Sequence, residues 1–159
     1  FLAALSWGNC GYAFPAALGA KAAFPDRPSV AYVGDGAWGM SLAEIMTCIR
    51  EDIPVTAVVF NNGQWGAEKK NQIDYYDNRF VGTNLQNPSF AEIARAMGAN
   101  GITVDQPGEV GNALREAVSS KRATVLELML TQDLAEPFRR DALSKPVRLL
   151  DKYRSYNVK

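Results

Sequence analysis

Residues 29–62 read SVAYVGDGAWGMSLAEIMTCIREDIPVTAVVFNN, and this stretch determines the fold that we expect. A short β-prone run at 29–33 ends in Gly34, and the apolar run at 55–60 is typical of a strand buried on both faces of a parallel sheet. Between them, Ser41 and Glu44 form a capping-box pattern that predicts a helix running to about Glu51. The order strand, helix, strand predicts a parallel α/β unit.

The same alternation continues on both sides of this unit. The sequence predicts helices at 12–23, 89–97 and 107–119 and strands at 102–104 and 124–130. The helix at 89–97 opens with a second capping box at Ser89 and Glu92 and ends before Gly98. Two loops follow strands in this prediction, one at 34–40 and one that begins at Asn61. Residues 61–88 lack periodicity, and a loop of this length in a compact domain is either functional or disordered. We therefore predict an α/β fold with a doubly wound parallel sheet and helices on both faces.

The composition excludes several classes of function. Seventeen basic and seventeen acidic residues cancel, so charge gives no support for nucleic acid or an anionic membrane as a partner. No apolar run is long enough to span a bilayer, and the two cysteines favour a reducing cytoplasm over a disulfide framework. The chain has no histidine, so a metal would have to be a hard, oxygen-bound ion.

Residues 34–39, GDGAWG, match the G-x-G-x-x-G pattern that opens dinucleotide-binding folds. We reject that interpretation, because a dinucleotide site wants an acidic residue about 20 positions further on, where this chain has Asn61 and Asn62. Asp35 would also face the pyrophosphate directly, and two anions repel unless a cation lies between them.

A magnesium ion resolves that repulsion. Asp35 supplies a carboxylate oxygen at the end of one predicted strand, and Asn62 supplies an amide oxygen at the end of the next. Adjacent strands lie about 4.8 Å apart, so the two side chains are expected to be neighbours, with the helix near Ser41 directing its free amides toward the phosphates. The alternative for Asp35 is a simple turn residue at the end of a strand.

The GDG motif, followed 27 residues after Asp35 by the second Asn of an Asn-Asn pair, resembles the thiamine diphosphate (ThDP) fingerprint of acetolactate synthase, pyruvate oxidase and their relatives. The resemblance implies ThDP and Mg²⁺ as cofactors, and a ThDP-binding fold. It implies metal ligands at Asp35, Asn62 and the Gln64 carbonyl, and it implies diphosphate contacts at Gly36, Ala37, Trp65 and Gly66.

The segment at 7–17, WGNCGYAFPAA, is similar to the segment of those enzymes that holds the aminopyrimidine ring. By this resemblance the Gly8 carbonyl accepts a hydrogen bond from the 4′-amino group. Cys10 stands where the family places a large apolar residue beneath the thiazolium ring. The alternative for Cys10 is a small buried thiol without a role in binding.

Residues 64–72 and 74–76, together with EPFRRDAL at 136–143, resemble the sulfoacetaldehyde acetyltransferases. The resemblance implies conversion of sulfoacetaldehyde and phosphate to acetyl phosphate and sulfite. Both reactants are anions, and the cationic pairs that could bind them are Lys69 with Lys70 and Arg139 with Arg140. These four side chains could equally be solvated surface charges. Trp65, Tyr75 and Tyr76 could line the pocket, or could be core or interface aromatics.

We expect a cofactor-binding domain at 1–130, truncated at its N-terminal side, and a tail at 131–159 that packs on this domain or on a neighbouring subunit. By the resemblance, the catalytic glutamate lies in an N-terminal domain outside this chain, and the enzyme is a homodimer or homotetramer. The fragment alone is therefore expected to be inactive. The alternatives are another ThDP enzyme, such as acetolactate synthase or a 2-oxo-acid decarboxylase, and a non-catalytic Mg²⁺–diphosphate-binding or oligomerisation module.

Overall fold

The structure, a computed structural model, describes residues 1–4 and 6–134. In that part of the chain the helices are α1 Ala13–Ala23, α2 Asp35–Gly39, α3 Ile45–Arg50, α4 Gly66–Tyr75, α5 Phe90–Ala96 and α6 Val110–Ser119. Single turns of 3₁₀ helix at Leu42–Glu44 and Pro107–Glu109 precede α3 and α6. The strands are β1 Val30–Gly34, β2 Thr56–Asn61, β3 Asn100–Val104 and β4 Thr124–Met129.

The four strands form one parallel sheet in the order β1-β2-β4-β3. The register places Gly34 of β1 beside Phe60 of β2, and Phe60 beside Leu128 of β4. The carboxyl ends of the strands therefore lie at one edge of the sheet. In parallel α/β folds this is the edge where ligands bind.

Two hydrophobic clusters cover the two faces of the sheet. On one face a cluster joins residues of α1, α2, α3 and α5 to residues of β1, β2 and β4, and the rings of Phe14 and Trp38 meet edge to face at 4.9 Å. Within this layer α1 packs on β1, and α5 packs on β3 and β4. On the other face α6 packs over β4, with Leu126 and Leu128 in the cluster. The prediction of a parallel sheet with helices on both faces is confirmed.

Two loop predictions were wrong. The segment after β1 is not a loop but the short helix α2, so the helix at the strand end begins at Asp35 rather than near Ser41. The capping box at Ser41 does not form, because the Ser41 hydroxyl is buried without a hydrogen-bond partner in the described residues and the chain there makes a 3₁₀ turn. The predicted loop at 61–88 contains helix α4, whose mixed polar and aromatic sequence hid its periodicity.

The helix start predicted at Ser89 is confirmed. The Ser89 hydroxyl accepts a hydrogen bond from the Glu92 amide at 3.2 Å and begins α5. Gly98 follows the end of that helix with a φ of +93°, a conformation that glycine adopts without steric cost. None of the described helices combines the length and the apolar character that crossing a bilayer requires.

Candidate functional site

Asp35 lies directly after β1, at the carboxyl edge of the sheet, with 3% of its surface exposed. Its Oδ1 accepts from the Gly36 amide at 3.0 Å. Its Oδ2 accepts from the Gly63 amide at 2.8 Å and from the Asn87 Nδ2 at 2.7 Å. A carboxylate in this setting is held in one orientation by backbone and amide donors from three separate segments.

The loop after β2 is attached to Asp35 through Gly63, the residue between Asn62 and Gln64. Gly63 has a φ of +67°, which turns the chain sharply and aims its amide at the carboxylate. The Asn62 Oδ1 accepts from the Gln64 amide at 3.3 Å. The fold therefore brings the three predicted metal ligands to one edge of the sheet, Asp35 at the end of β1 and Asn62 and Gln64 just after β2.

Three residues of this site were missed by sequence reasoning. Asn61, Asn87 and Glu127 form a hydrogen-bonded chain that ends on Asp35. The Asn61 Nδ2 donates to the Glu127 Oε1 at 2.8 Å, and its Oδ1 accepts from the Asn87 Nδ2 at 3.0 Å and from the Gly63 amide at 3.3 Å. A charged residue inside the apolar run TVLELM was the signal that could have revealed Glu127.

The electrostatics of the site favour a bound cation. Within the described residues the ion pairs are Arg50 with Glu51 and Lys70 with Asp74, so neither Asp35 nor Glu127 has a cationic side chain as partner. A buried carboxylate is costly unless it is paired or coordinates a metal. No three His, Cys, Asp or Glu side chains cluster in the described part of the chain. The other two predicted ligands, the Asn62 side-chain oxygen and the Gln64 carbonyl, are neutral oxygen atoms of the kind that suits Mg²⁺.

The ring of Trp65 lies against the backbone of Gly36, where an added Cβ would fall 2.7 Å from the ring. This close approach is possible because position 36 carries no side chain, and it joins the start of α2 to the start of α4. The same Trp65 lines a cavity of about 400 Å³ together with Cys10, Met40, Glu68 and Thr83. Glu68 was not predicted to belong to the site.

Gly8 and Cys10 are the two predicted site residues of the segment upstream of α1. Gly8 has a φ of +62°, and its amide donates to the Ala4 carbonyl at 2.8 Å. Cys10 is exposed, so the alternative of a small buried thiol is wrong. Cys10 and Trp65 line the same cavity, so the upstream segment and the loop after β2 lie next to each other there. The contacts of Gly8 and Cys10 with a cofactor stay a prediction.

The predicted anion-binding lysines already have partners inside the chain. Lys69 donates to the Gln64 Oε1 at 2.9 Å and to the Asn84 Oδ1 at 3.0 Å, and its ammonium lies 5.6 Å from the centre of the Phe80 ring. Lys70 forms an ion pair with Asp74. Arg139 and Arg140 lie outside the described residues. An anion site at these four positions stays a prediction.

The first residues of the predicted tail lie on the loop after β2. The Gln132 carbonyl accepts from the Gln64 Nε2 at 2.8 Å, and a Cβ added at Gly66 would lie 3.6 Å from the Leu134 side chain. Residues 135–159 lie outside the described part. The packing of the tail on this domain or on another subunit stays a prediction.

The sequence matches the protein family described as "Thiamine pyrophosphate enzyme, C-terminal TPP binding domain" over residues 1–128. It is 64% identical to a sulfoacetaldehyde acetyltransferase from Castellaniella defragrans and 61% identical to one from Alcaligenes xylosoxydans xylosoxydans, over 98% of this chain in both cases. It is 33% identical over 80% of the chain to the catalytic subunit of the mitochondrial acetolactate synthase from Saccharomyces cerevisiae. The chain spans 27%, 26% and 19% of these relatives.

Solved structures of two decarboxylases share the fold. The thiamine diphosphate-dependent 4-hydroxybenzoylformate decarboxylase from Rhodococcus jostii RHA1 superposes with a TM-score of 0.74 at 26% identity, covering 80% of this chain and 24% of that one. The benzoylformate decarboxylase from Polynucleobacter necessarius gives a TM-score of 0.74 at 27% identity, covering 82% and 25%.

Proposed function

The chain belongs to the family of C-terminal TPP binding domains of thiamine pyrophosphate enzymes, and from this membership we propose that it is the cofactor-binding part of a sulfoacetaldehyde acetyltransferase. The enzyme converts sulfoacetaldehyde and phosphate to acetyl phosphate and sulfite. The observation that carries this proposal is the 64% identity to the Castellaniella defragrans enzyme, which extends over 98% of the chain. Identity to the acetolactate synthase from Saccharomyces cerevisiae is about half as high, at 33%.

The residues at the carboxyl edge of the sheet support binding of Mg²⁺ and ThDP. Asp35, Asn62 and the Gln64 carbonyl would hold the metal, and the buried carboxylate of Asp35, which has no cationic side chain as partner in the described residues, would gain one from it. The amides of the following residues would bind the diphosphate: Gly36, Ala37, Trp65 and Gly66. Bound ThDP supplies the carbon nucleophile for the aldehyde.

The other proposed contacts concern the organic part of the cofactor. The Gly8 carbonyl would accept from the 4′-amino group, and Cys10 would lie beneath the thiazolium ring, on the cavity that it shares with Trp65. We propose that the complete enzyme is a cytoplasmic homodimer or homotetramer. Light scattering on the purified full-length protein would measure the subunit number, and a monomer would contradict that part of the proposal.

The experiment is an assay of the full-length protein with ThDP, Mg²⁺, phosphate and sulfoacetaldehyde, following sulfite and acetyl phosphate. We expect sulfite release that requires phosphate and that stops when EDTA removes the metal. Asp35→Ala should lower activity at least about 100-fold, since it removes a charged metal ligand. The control is Asp105→Ala, which removes an exposed carboxylate on the loop after β3.

Acetolactate synthase is the second candidate, because a member of that group is 33% identical to this chain. Turnover of pyruvate to acetolactate without sulfite release would favour it and would leave the cofactor site in place. A full-length protein that fails to bind ThDP and Mg²⁺ would contradict both candidates.

A further inference from the structure

We propose that Glu127 is a positioning residue for the magnesium–diphosphate site. It fixes the orientation of the Asn61 amide, and Asn61 then aligns Asn87 and the Gly63 amide on the Asp35 carboxylate. This inference rests on the proposed function, because it gives Asp35 the role of a metal ligand. Glu127 itself does not touch the cofactor and acts through its neighbours.

Glu127 is surrounded by hydrogen-bond donors. It is 1% exposed and lies on β4, one of the two inner strands of the sheet. Its Oε1 accepts from the Asn61 Nδ2 at 2.8 Å. Its Oε2 accepts from the Ser89 hydroxyl and the Ala91 amide, both at 3.1 Å, and faces the Thr103 hydroxyl at 3.5 Å. A group that accepts at both ends is required here, and among side chains an ionised carboxylate meets that requirement.

The position also suits a negative charge. Ala91 lies in the first turn of α5, where backbone amides lack partners within the helix. The carboxylate of Glu127 satisfies one of these amides and faces the positive end of the helix dipole. The charge therefore has a local stabilising reason, although none of the described lysine or arginine side chains pairs with it.

A continuous chain of hydrogen bonds connects Glu127 to Asp35, and the acceptor role of Glu127 fixes which group donates at each step. Because Glu127 accepts, Asn61 presents its NH₂ group to Glu127 and its carbonyl oxygen to the opposite side. That oxygen receives the Asn87 Nδ2 and the Gly63 amide, and both of these donors also reach the Asp35 Oδ2. The two donors to the Asp35 Oδ2 are thus themselves held by the Asn61 oxygen.

Glu127→Gln keeps the size of the side chain but replaces one acceptor oxygen with an NH₂ donor, so the donors and acceptors along the chain no longer match. The glutamine oxygen must face the Ala91 amide, which can only donate, so the glutamine NH₂ group faces the NH₂ group of Asn61. If the Asn61 amide turns over to accept, its NH₂ group then faces the Asn87 Nδ2 and the Gly63 amide. Either arrangement places two donors against each other in a buried region, which is costly.

Asn61→Asp offers a specific rescue. With Glu127→Gln in place, an aspartate at 61 accepts from the glutamine NH₂ group on one oxygen and from Asn87 and Gly63 on the other. The double variant has the same net charge as the wild type and every donor again meets an acceptor. In the wild type the Asn61 Nδ2 lies 2.8 Å from the Glu127 Oε1. The single variant Asn61→Asp, in contrast, places a second carboxylate at this distance from Glu127, and the two negative charges repel.

The experiment compares the full-length wild type with Glu127→Gln, Asn61→Asp and the double variant, measuring the Mg²⁺ and ThDP dissociation constants by calorimetry and the KM for sulfoacetaldehyde. We expect each single variant to weaken Mg²⁺-dependent ThDP binding about 10-fold or more and the double variant to recover most of it. The KM for sulfoacetaldehyde at saturating cofactor should stay within about 2-fold of the wild type. Glu109→Gln, at an exposed position, is the matched control.

The outcomes separate this inference from the proposed function. A wild type that binds neither Mg²⁺ nor ThDP refutes the proposed function and this inference with it. A wild type that binds both, with a Glu127→Gln variant that binds equally well, refutes the positioning role alone. If Glu127→Gln does not fold, the double variant decides: recovery of folding and cofactor binding supports the inference, and failure to recover either one overturns it.

Discussion

At the scale of single residues, the two cysteines differ in exposure and therefore in chemistry. Cys10 is exposed and lines the cavity that it shares with Trp65, whereas Cys48, on α3, is 1% exposed and lies in the core. Burial, and secondarily the nearby charge of Glu44, raises the pKa of the Cys48 thiol from 9.0 to about 11. A thiol reacts as its thiolate, so Cys48 is expected to be inert in the folded protein near neutral pH.

This difference predicts a selective labelling pattern. In the full-length protein at pH 8 without ThDP, iodoacetamide should modify Cys10 and leave Cys48 unmodified until denaturant is added. Peptide mass spectrometry measures both sites in one sample. Equal labelling of the two cysteines without denaturant would contradict the buried environment of Cys48.

The raised pKa also predicts a dependence of stability on pH. The unfolded thiol ionises near pH 9 and the folded one near pH 11, so the neutral buried thiol stabilises the fold fully below pH 9. This contribution, on the order of 2 kcal/mol, is lost as the pH rises through about 11. Urea unfolding of the wild type should therefore lose stability relative to Cys48→Ala between these values. The Cys10→Ala variant should keep the wild-type trend.

At the scale of elements, the site depends on how closely α2 approaches the start of α4. Gly36 in α2 meets the Trp65 ring, where a Cβ would lie 2.7 Å away, whereas a Cβ added at Gly39 in the same helix meets nothing within 4 Å. The two glycines therefore have different roles although they lie three positions apart. Gly36 permits contact between elements, and Gly39 has no comparable neighbour.

We expect Gly36→Ala to displace Trp65 and to weaken ThDP binding about 10-fold, because forcing an extra carbon into a packed contact costs roughly 1–3 kcal/mol. Gly39→Ala is the matched control and should bind ThDP like the wild type. Calorimetry on the two full-length variants provides the comparison. Identical affinities would show that the contact between α2 and Trp65 does not shape the cofactor site.

At the scale of the whole molecule, this chain covers about a quarter of its acetyltransferase relatives, 27% and 26% of two of them. It supplies the proposed metal and diphosphate ligands on one edge of a sheet whose strand β1 has the single neighbour β2 among the described strands. The Tyr32 side chain on that strand is 60% exposed. The proposed activity is therefore expected to need parts of the enzyme other than these 159 residues.

The corresponding prediction is that the purified 159-residue chain releases no sulfite under conditions in which the full-length protein does. The reason is that the catalytic glutamate is expected in another domain. Circular dichroism should accompany the assay, so that an unfolded fragment is not mistaken for a folded inactive one. Turnover by the folded chain would overturn this division of roles.

The sequence by itself determined the α/β alternation and the strand-end positions of Asp35 and Asn62, because hydrophobic periodicity and turn residues act over short distances along the chain. The tertiary structure decided which side chains hold Asp35. Asn87 lies 52 positions from Asp35, and Glu127 lies 66 positions from Asn61. Contacts across such separations depend on how strands and helices pack, and no local pattern specifies them. For the same reason the close approach of Trp65 to Gly36 became visible only in the folded chain.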